Sequence, residues 1–239
     1  FNFNGGTLEA AASSATFFAS GVASAANVLG GGAVIDTAGK NITVGQALIN
    51  DGVDQDGGLT KNGSGTLGLN GVNTYTNETT VNGGLLGGTG TIAGAVMVNS
   101  GGGLAPGSGG IGALTINGNL TLNANSTNVF EVNGTTSTND QIIAGAGVTY
   151  GGVLNIVPTG TFTNGQTFTL FSGPGAAGAG NFASITGSPG SGLAFSFTNG
   201  VLSVVAGGPS GPARLTNSYD AGTHTLSLSW PANQGWRLQ

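Results

Sequence analysis

The sequence predicts an all-β protein: a β-solenoid of stacked coils followed by a short C-terminal β-hairpin segment. Three observations predict it. A strand-then-corner motif, apolar-x-apolar-Asn followed by a small residue, recurs as TLGLNG (66–71), TTVNGG (79–84), VMVNSG (96–101), LTINGN (114–119), LTLNAN (120–125) and FEVNGT (130–135). Alternation over a few residues marks a strand with one buried face, and Asn and Gly let the chain turn a corner at positive φ. Glycine supplies 49 of 239 residues without the three-residue period of collagen. Charged residues are only 5% while apolar residues are 38% and evenly spread, which is not the low-hydrophobicity, high-charge composition of a disordered chain.

The elements follow in order. Residues 1–10, FNFNGGTLEA, read as a strand and corner. The Ala/Ser-rich stretch 10–29 reads either as a helix capping the first coil, since Ala favours helices, or as a small-residue coil; Gly21, Val22 and Val28 favour the coil. GGAVIDTAGKNITVGQALI (31–49) alternates, with Val34, Ile42 and Val44 pointing inward. Residues 57–206 carry the best repeats, with strands at 66–69, 79–86, 95–99, 114–132, 153–157, 166–171, 193–197 and 201–205. At about 20–25 residues per coil, residues 1–206 make roughly eight to ten coils and a rod roughly 40–50 Å long. Asn at equivalent corners is placed to stack into hydrogen-bonded ladders. Eight Asn-Gly pairs punctuate the chain. Asn-Gly is also the strongest hairpin signal, notably in LTINGNLTL, so an antiparallel sandwich is the alternative architecture. Irregular spacing and variable loops suit solenoid corners better than hairpin registers.

Residues 207–213, GGPSGPA, form a Gly/Pro linker. Residues 214–239 hold both tryptophans, two of the four basic residues and the one histidine. They read as a hairpin turning at Asp220-Ala221-Gly222, which is marginal alone and needs something to dock on. Trp230 and Trp236 are the expected anchors, with Tyr219, Leu226 and Leu228 completing the contact set on a neighbouring subunit.

Composition excludes several function classes. The basic residues Lys40, Lys61, Arg214 and Arg237 are scattered and the net charge is −5, so neither nucleic acid nor an anionic membrane surface is an expected partner. No apolar run reaches about 18 residues, so no transmembrane helix is expected. There is no cysteine. The chain starts at Phe1 without Met, already inside a strand-like segment, and reads as a mature or trimmed piece of a longer precursor.

Candidate chemistry is sparse. Asp51, Asp54 and Asp56 beside glycines form a calcium candidate, since Ca²⁺ takes oxygen ligands from flexible loops. EF-hand spacing is missing, and a solvated acidic loop is the simpler reading; no cofactor is expected beyond this candidate. Glu78, Glu131 and Asp140 are isolated in sequence, although stacking brings distant carboxylates together. His224 near Asp220 and Ser227 forms a triad only on paper, because no nucleophile elbow is present. Thr-x-Thr segments are too irregular for an ice-ordering array. The sequons at Asn41, Asn77, Asn119 and Asn125 read as products of Asn/Thr richness. The protein is expected not to be an enzyme.

The stretch GGLTKNGSGTLGLNGVNTYTNETTVNGGLL (57–86) closely resembles the autotransporter-associated β-strand repeat, also called the passenger-associated transport repeat. It departs from that pattern at Asn77-Glu78, where Thr-Gly is usual, and at Leu85, where Thr is usual. GTGTIAGAVMVNSGGGLAPG (88–107) and GGAVIDTAGKNITV (31–44) are similar to the same family, so the resemblance spans roughly residues 1–135. The tail SYDAGTHTLSLSWPANQGWRLQ looks like the start of a C-terminal module of large secreted repeat proteins of Gram-negative bacteria. The resemblance implies a right-handed parallel β-helix exported to the cell exterior, and it implies no catalytic residues. No translocation barrel is present in this chain.

Together these readings predict a structural protein of the extracellular space or cell surface. The tail hairpin docks on the next subunit and extends it, giving a head-to-tail homopolymer. The alternative is an adhesin passenger that binds glycans or surfaces. Both Trp lie in the tail, which favours assembly.

Overall fold

The computed structural model describes residues 1–53, 55–207 and 216–229. It is all-β, with no helix among the described residues and mostly parallel strands, an arrangement consistent with a β-solenoid.

The chain visits three stacks of strands in a fixed cyclic order. The first stack holds Asn2–Phe3, Ala26–Val28 and Leu48–Asn50, then Val72–Asn73, Thr91–Ile92, Ala113–Ile116, Gln141–Ala144 and Phe171–Ser172. The second is one eight-stranded sheet: Thr7–Glu9, Ala33–Asp36, Leu59–Asn62, Thr79–Val81, Val96–Val98, Leu120–Leu122, Val148–Tyr150 and Ala179–Gly180. The third holds Ser14–Phe18, Ile42–Val44, Thr66–Leu69, Gly84–Gly88 and Gly102–Pro106, then Thr127–Asn133, Val153–Thr159 and Ser184–Thr186. Strands pair in parallel with the strand one circuit later, except between Leu48–Asn50 and Val72–Asn73 in the first stack and between Gly102–Pro106 and Thr127–Asn133 in the third, where no strand pairing is formed. The separation between partners ranges from 17 residues, Thr79 to Val96, to 31, Val153 to Ser184. The strands stay short and in register while the corners absorb this variation.

Alternation places the core. Leu67, Leu69, Val81, Val96, Val98, Leu114, Ile116, Leu120, Leu122, Phe130 and Val132 all point inward and join one continuous cluster. Burying each such side chain contributes about 1.5–3 kcal/mol. In Ala33–Asp36 the phase differs from expectation: Ala33 and Ile35 are buried, and Val34 lies outward beside Thr60. Sequence alternation alone does not choose between two apolar phases, and Ala33-Val34-Ile35 offers both.

Two buried asparagines join the first and third stacks where their regular pairing lapses. Asn73 accepts from the Leu48 N–H (3.0 Å) and donates to the carbonyls of Gly71 and Thr91 (both 3.0 Å). Asn128 accepts from the Leu104 N–H (3.3 Å) and donates to Ser126 Oγ (3.2 Å) and the Val153 carbonyl (3.4 Å). A side-chain amide carries both a donor and an acceptor, so it replaces a missing peptide in the ladder.

Three segments resolve otherwise open expectations. Residues 10–29 hold the strands Ser14–Phe18 and Ala26–Val28 and no helix. LTINGNLTL makes no hairpin: Ala113–Ile116 and Leu120–Leu122 lie in different stacks, with Asn117-Gly118 as the corner between them. Asn199-Gly200 does make one, with φ of 49° and 85°, joining Leu193–Thr198 to Val201–Ala206 antiparallel. Positive φ at both central residues is the type I′ condition, and Asn117 does not have it.

Those last two strands, grouped with the solenoid coils in the sequence reading, form an antiparallel sheet with Thr167–Thr169. This sheet caps the coil: Gly200 O accepts from the N–H groups of Leu170 and Phe171 (2.9 and 3.0 Å). Phe197 meets Tyr150 and Phe182 with ring centroids 5.1 Å apart, and Phe171 meets Phe130 at 5.2 Å. Residues 193–206 thus cover the last circuit and do not add parallel coils of their own. Residues 216–229 form a separate two-stranded hairpin, Thr216–Asp220 with Thr225–Ser229.

Candidate functional site

The second sheet ends its strands in a ladder. Asn82 Nδ2 donates to Asn62 Oδ1 (3.0 Å), Asn99 Nδ2 to Asn82 Oδ1 (2.9 Å), and Asn123 Nδ2 to Asn99 Oδ1 (3.0 Å). Asn82 and Asn99 each give and receive once, Asn62 ends the ladder as an acceptor and Asn123 as a donor, so four corners are locked in line along the stack.

Directly beneath this ladder lies a buried ammonium. Lys61 is 0% exposed. Its Nζ donates to Thr37 Oγ1 (2.8 Å) and to the carbonyls of Asn62 (2.9 Å), Gly63 (2.7 Å) and Gly83 (2.9 Å). Burial pushes its pKa down to about 8, with the Asp36 carboxylate pulling it back upward. One side chain thus ties three successive circuits together at their corners.

Asp56 has the complementary role. Its Oδ2 accepts from Asn50 Nδ2 (2.8 Å), the Thr76 N–H (2.7 Å) and Thr76 Oγ1 (2.9 Å); Oδ1 accepts from the N–H groups of Gly58 (3.0 Å) and Asn77 (2.9 Å). Burial alone would raise its pKa, but these bonds outweigh it and hold the carboxyl at about 2. Of the predicted calcium set, Asp56 is buried with five protein donors, and Asp51 is exposed and accepts from the Val53 N–H (3.0 Å). Asp54 lies outside the described residues. No group of three or more His, Asp or Glu side chains is placed to hold a metal ion among the described residues.

The structure does bring Glu131 and Asp140 together. They border a groove of about 390 Å³ on the third stack, floored by Thr43, Gly68 and Ala105 and flanked by Ser108. Asp140 is buried; Oδ1 accepts from the Gly112 N–H (2.9 Å) and Oδ2 from the Glu131 N–H (2.8 Å). Burial pushes its pKa up to about 6, those two bonds oppose the rise, and the Glu131 carboxylate adds to it. Asp140 therefore ties the 107–112 loop to the strand Thr127–Asn133, with its oxygens turned to backbone. Glu78 stays apart and accepts from Thr80 Oγ1 (3.3 Å).

The tail hairpin places its residues as follows. Asp220 Oδ1 accepts from the N–H groups of Gly222 and Thr223 (2.8 and 3.1 Å) and shapes the turn. His224 Nδ1 meets the Tyr219 hydroxyl at 3.1 Å. Asp220 and His224 thus serve the turn and the Tyr219 contact. Tyr219 and Leu226 are direct cross-strand partners, 61% and 57% exposed. Leu228 lies in the strand Thr225–Ser229, and Trp230 and Trp236 lie outside the described residues. Three sequon asparagines work structurally: Asn41 accepts from the Thr66 N–H (2.9 Å), Asn119 from the Gly147 N–H (3.1 Å), and Asn77 Nδ2 donates to the Asp56 carbonyl.

Sequence reasoning missed Lys61 and the stapling role of Asp56. The signal available was position: Lys61 occupies an inward phase of the alternation in GGLTKNG, and an inward lysine requires a cage of acceptors. No protein-family model matches the chain, and a search of curated proteins finds no similar one.

Proposed function

We propose that this chain is a non-catalytic extracellular structural protein, a right-handed parallel β-helix that self-assembles head to tail into a surface filament or scaffold. The reading extends the resemblance of residues 57–86 to the autotransporter-associated repeat and with it a cell-surface location of the Gram-negative type. One observation carries the assembly: the tail hairpin is only two strands wide and presents the Tyr219–Leu226 pair to solvent. A two-stranded hairpin is marginal unless a surface covers it. The non-catalytic part draws support from the carboxylates. The two most buried, Asp56 and Asp140, are spent on backbone donors, and low charge reduces repulsion between stacked subunits.

Negative-stain electron microscopy of the full chain, and of the chain lacking residues 207–239, tests this. Filaments that need the tail are expected. Discrete short rods in both samples would overturn self-assembly and turn attention to an adhesin passenger that binds glycans or surfaces.

A further inference from the structure

The capping sheet has two edges, and they are finished differently. In the order of strands, Val201–Ala206 is central, with Thr167–Thr169 on one side and Leu193–Thr198 on the other. The Thr167–Thr169 edge is closed by side chains: Thr169 O accepts from Asn139 Nδ2 (2.7 Å) and Gln141 Nε2 (3.1 Å). The other edge has no such cover among the described residues. Its hydrogen-bonding groups follow from register. Val204 N donates to Gln166 O and Val204 O accepts from Gly165 N, both at 2.8 Å, so the Val204 backbone faces away from Leu193–Thr198. Groups alternate along an antiparallel strand. Phe195 and Phe197, the partners of Val204 and Leu202, therefore aim their N–H and C=O groups at the free edge. That strand, LAFSFT, has no charge, no proline and no bulge, which are the devices that ordinarily protect an edge from strand addition.

We infer that this edge is the receptor for the tail hairpin of a second copy, which adds its strand Thr225–Ser229 beside Leu193–Thr198 and continues the sheet across the subunit boundary. The inference rests on the self-assembly reading above and names the surface that reading leaves open. Of the hairpin's two strands, Thr216–Asp220 carries Asp220, whereas TLSLS is uncharged and alternating. Within one chain, among the described residues, the hairpin strands pair with each other and do not join the capping sheet. Pairing between copies gives a five-stranded antiparallel sheet, main-chain bonds supplying affinity and alternate side chains specificity. The contact joins different surfaces of the two copies, so it propagates rather than closing on itself unless the rotation makes a ring.

The absence of cysteine permits a clean test. Full-length Ser196→Cys and Thr225→Cys chains are mixed and treated with a short thiol-to-thiol crosslinker; both positions are exposed. A crosslinked dimer is expected in the mixture, absent from either variant alone and from a mixture of Thr60→Cys with Thr225→Cys. Equal crosslinking in the Thr60 control, or none in a sample that microscopy shows to be polymerised, would overturn this receptor and leave self-assembly standing. Crosslinking within a single chain of the double variant, without dimer, would overturn docking between copies. A sample that sediments only as monomer at every concentration would overturn the self-assembly reading and this inference with it.

Discussion

Replacing Lys61 with Met tests whether a caged ammonium holds the corners together. Met keeps the apolar stem and removes the charge. Four acceptors then lose a donor, but not equally. Asn62 O keeps the Thr37 N–H and hydroxyl, both at 3.1 Å, and the Thr37 hydroxyl keeps its own donor role. The carbonyls of Gly63 and Gly83 receive Nζ alone among the described residues. Each orphaned buried carbonyl costs about 1–3 kcal/mol. Removing the burial penalty of the ammonium offsets part of that, leaving an expected loss of about 2–4 kcal/mol at pH 7. The pH dependence adds a second signature. Lys61 titrates near 8 in the fold against 10.5 in the unfolded chain. Between those values the unfolded state binds more protons, so stability from Lys61 rises with pH. The gap between wild type and Lys61→Met should widen by about 2 kcal/mol from pH 7 to pH 9.5, at about 1.4 kcal/mol per pH unit. Buried Tyr75 and Tyr150, both raised, with Tyr150 near 12, act in the opposite sense only above pH 10. The assay is urea unfolding followed by far-ultraviolet circular dichroism, with equal m-values required before midpoints are compared. Equal midpoints at pH 7, or a gap that narrows toward pH 9.5, would refute the cage.

Three further outcomes are expected. Asp56→Asn should cost about 2–4 kcal/mol in urea unfolding at pH 7, because an amide nitrogen then faces N–H donors. In the wild type the stability Asp56 contributes, about 2 kcal/mol, is complete above 3.8 and is lost as pH falls toward 2. Asp140 behaves oppositely: its folded pKa near 6 lies above 3.8, so the fold should gain about 2 kcal/mol as pH drops from 7 to 4. A melting temperature that rises on mild acidification in wild type but not in Asp140→Asn is the expected pattern. Asn82→Ala removes two ladder bonds at the surface and should cost about 1–2 kcal/mol; an unchanged urea midpoint would show that the ladder is ornamental.

How much was legible depends on whether a residue's role is set by its neighbours in sequence or by the next circuit. The strands were legible because Leu67 and Leu69, or Val96 and Val98, announce a buried face within three residues. The ladder was legible because Asn recurs after those strands, although only Asn62, Asn82, Asn99 and Asn123 fall in line; Asn70 turns instead to Thr89 and Ser108. The cap was not legible, since LAFSFT and VLSVVA alternate just as the coil strands do and only their pairing direction differs. Nor was Asp56, whose donors Thr76 and Asn77 sit 20 and 21 residues away. Glu131 and Asp140 looked isolated because Asn133-Gly134, which reads in sequence as one more corner, instead opens the turn that pairs Val132 with Asn139 and Asn133 with Thr138 antiparallel.

The varying circuit length bears on how such a chain reaches its native state. Every parallel partner lies between 17 and 31 residues away, so no strand waits for a segment at the far end of the molecule. Closing a loop of 31 rather than 17 residues adds only about half a kcal/mol of entropy. Each circuit can therefore condense on the one before it as soon as its own residues are available, and growth needs no long search. Unfolding is expected to run the same way in reverse, by peeling from an end. The aromatic cluster around Phe171 then works as a latch against peeling from that end.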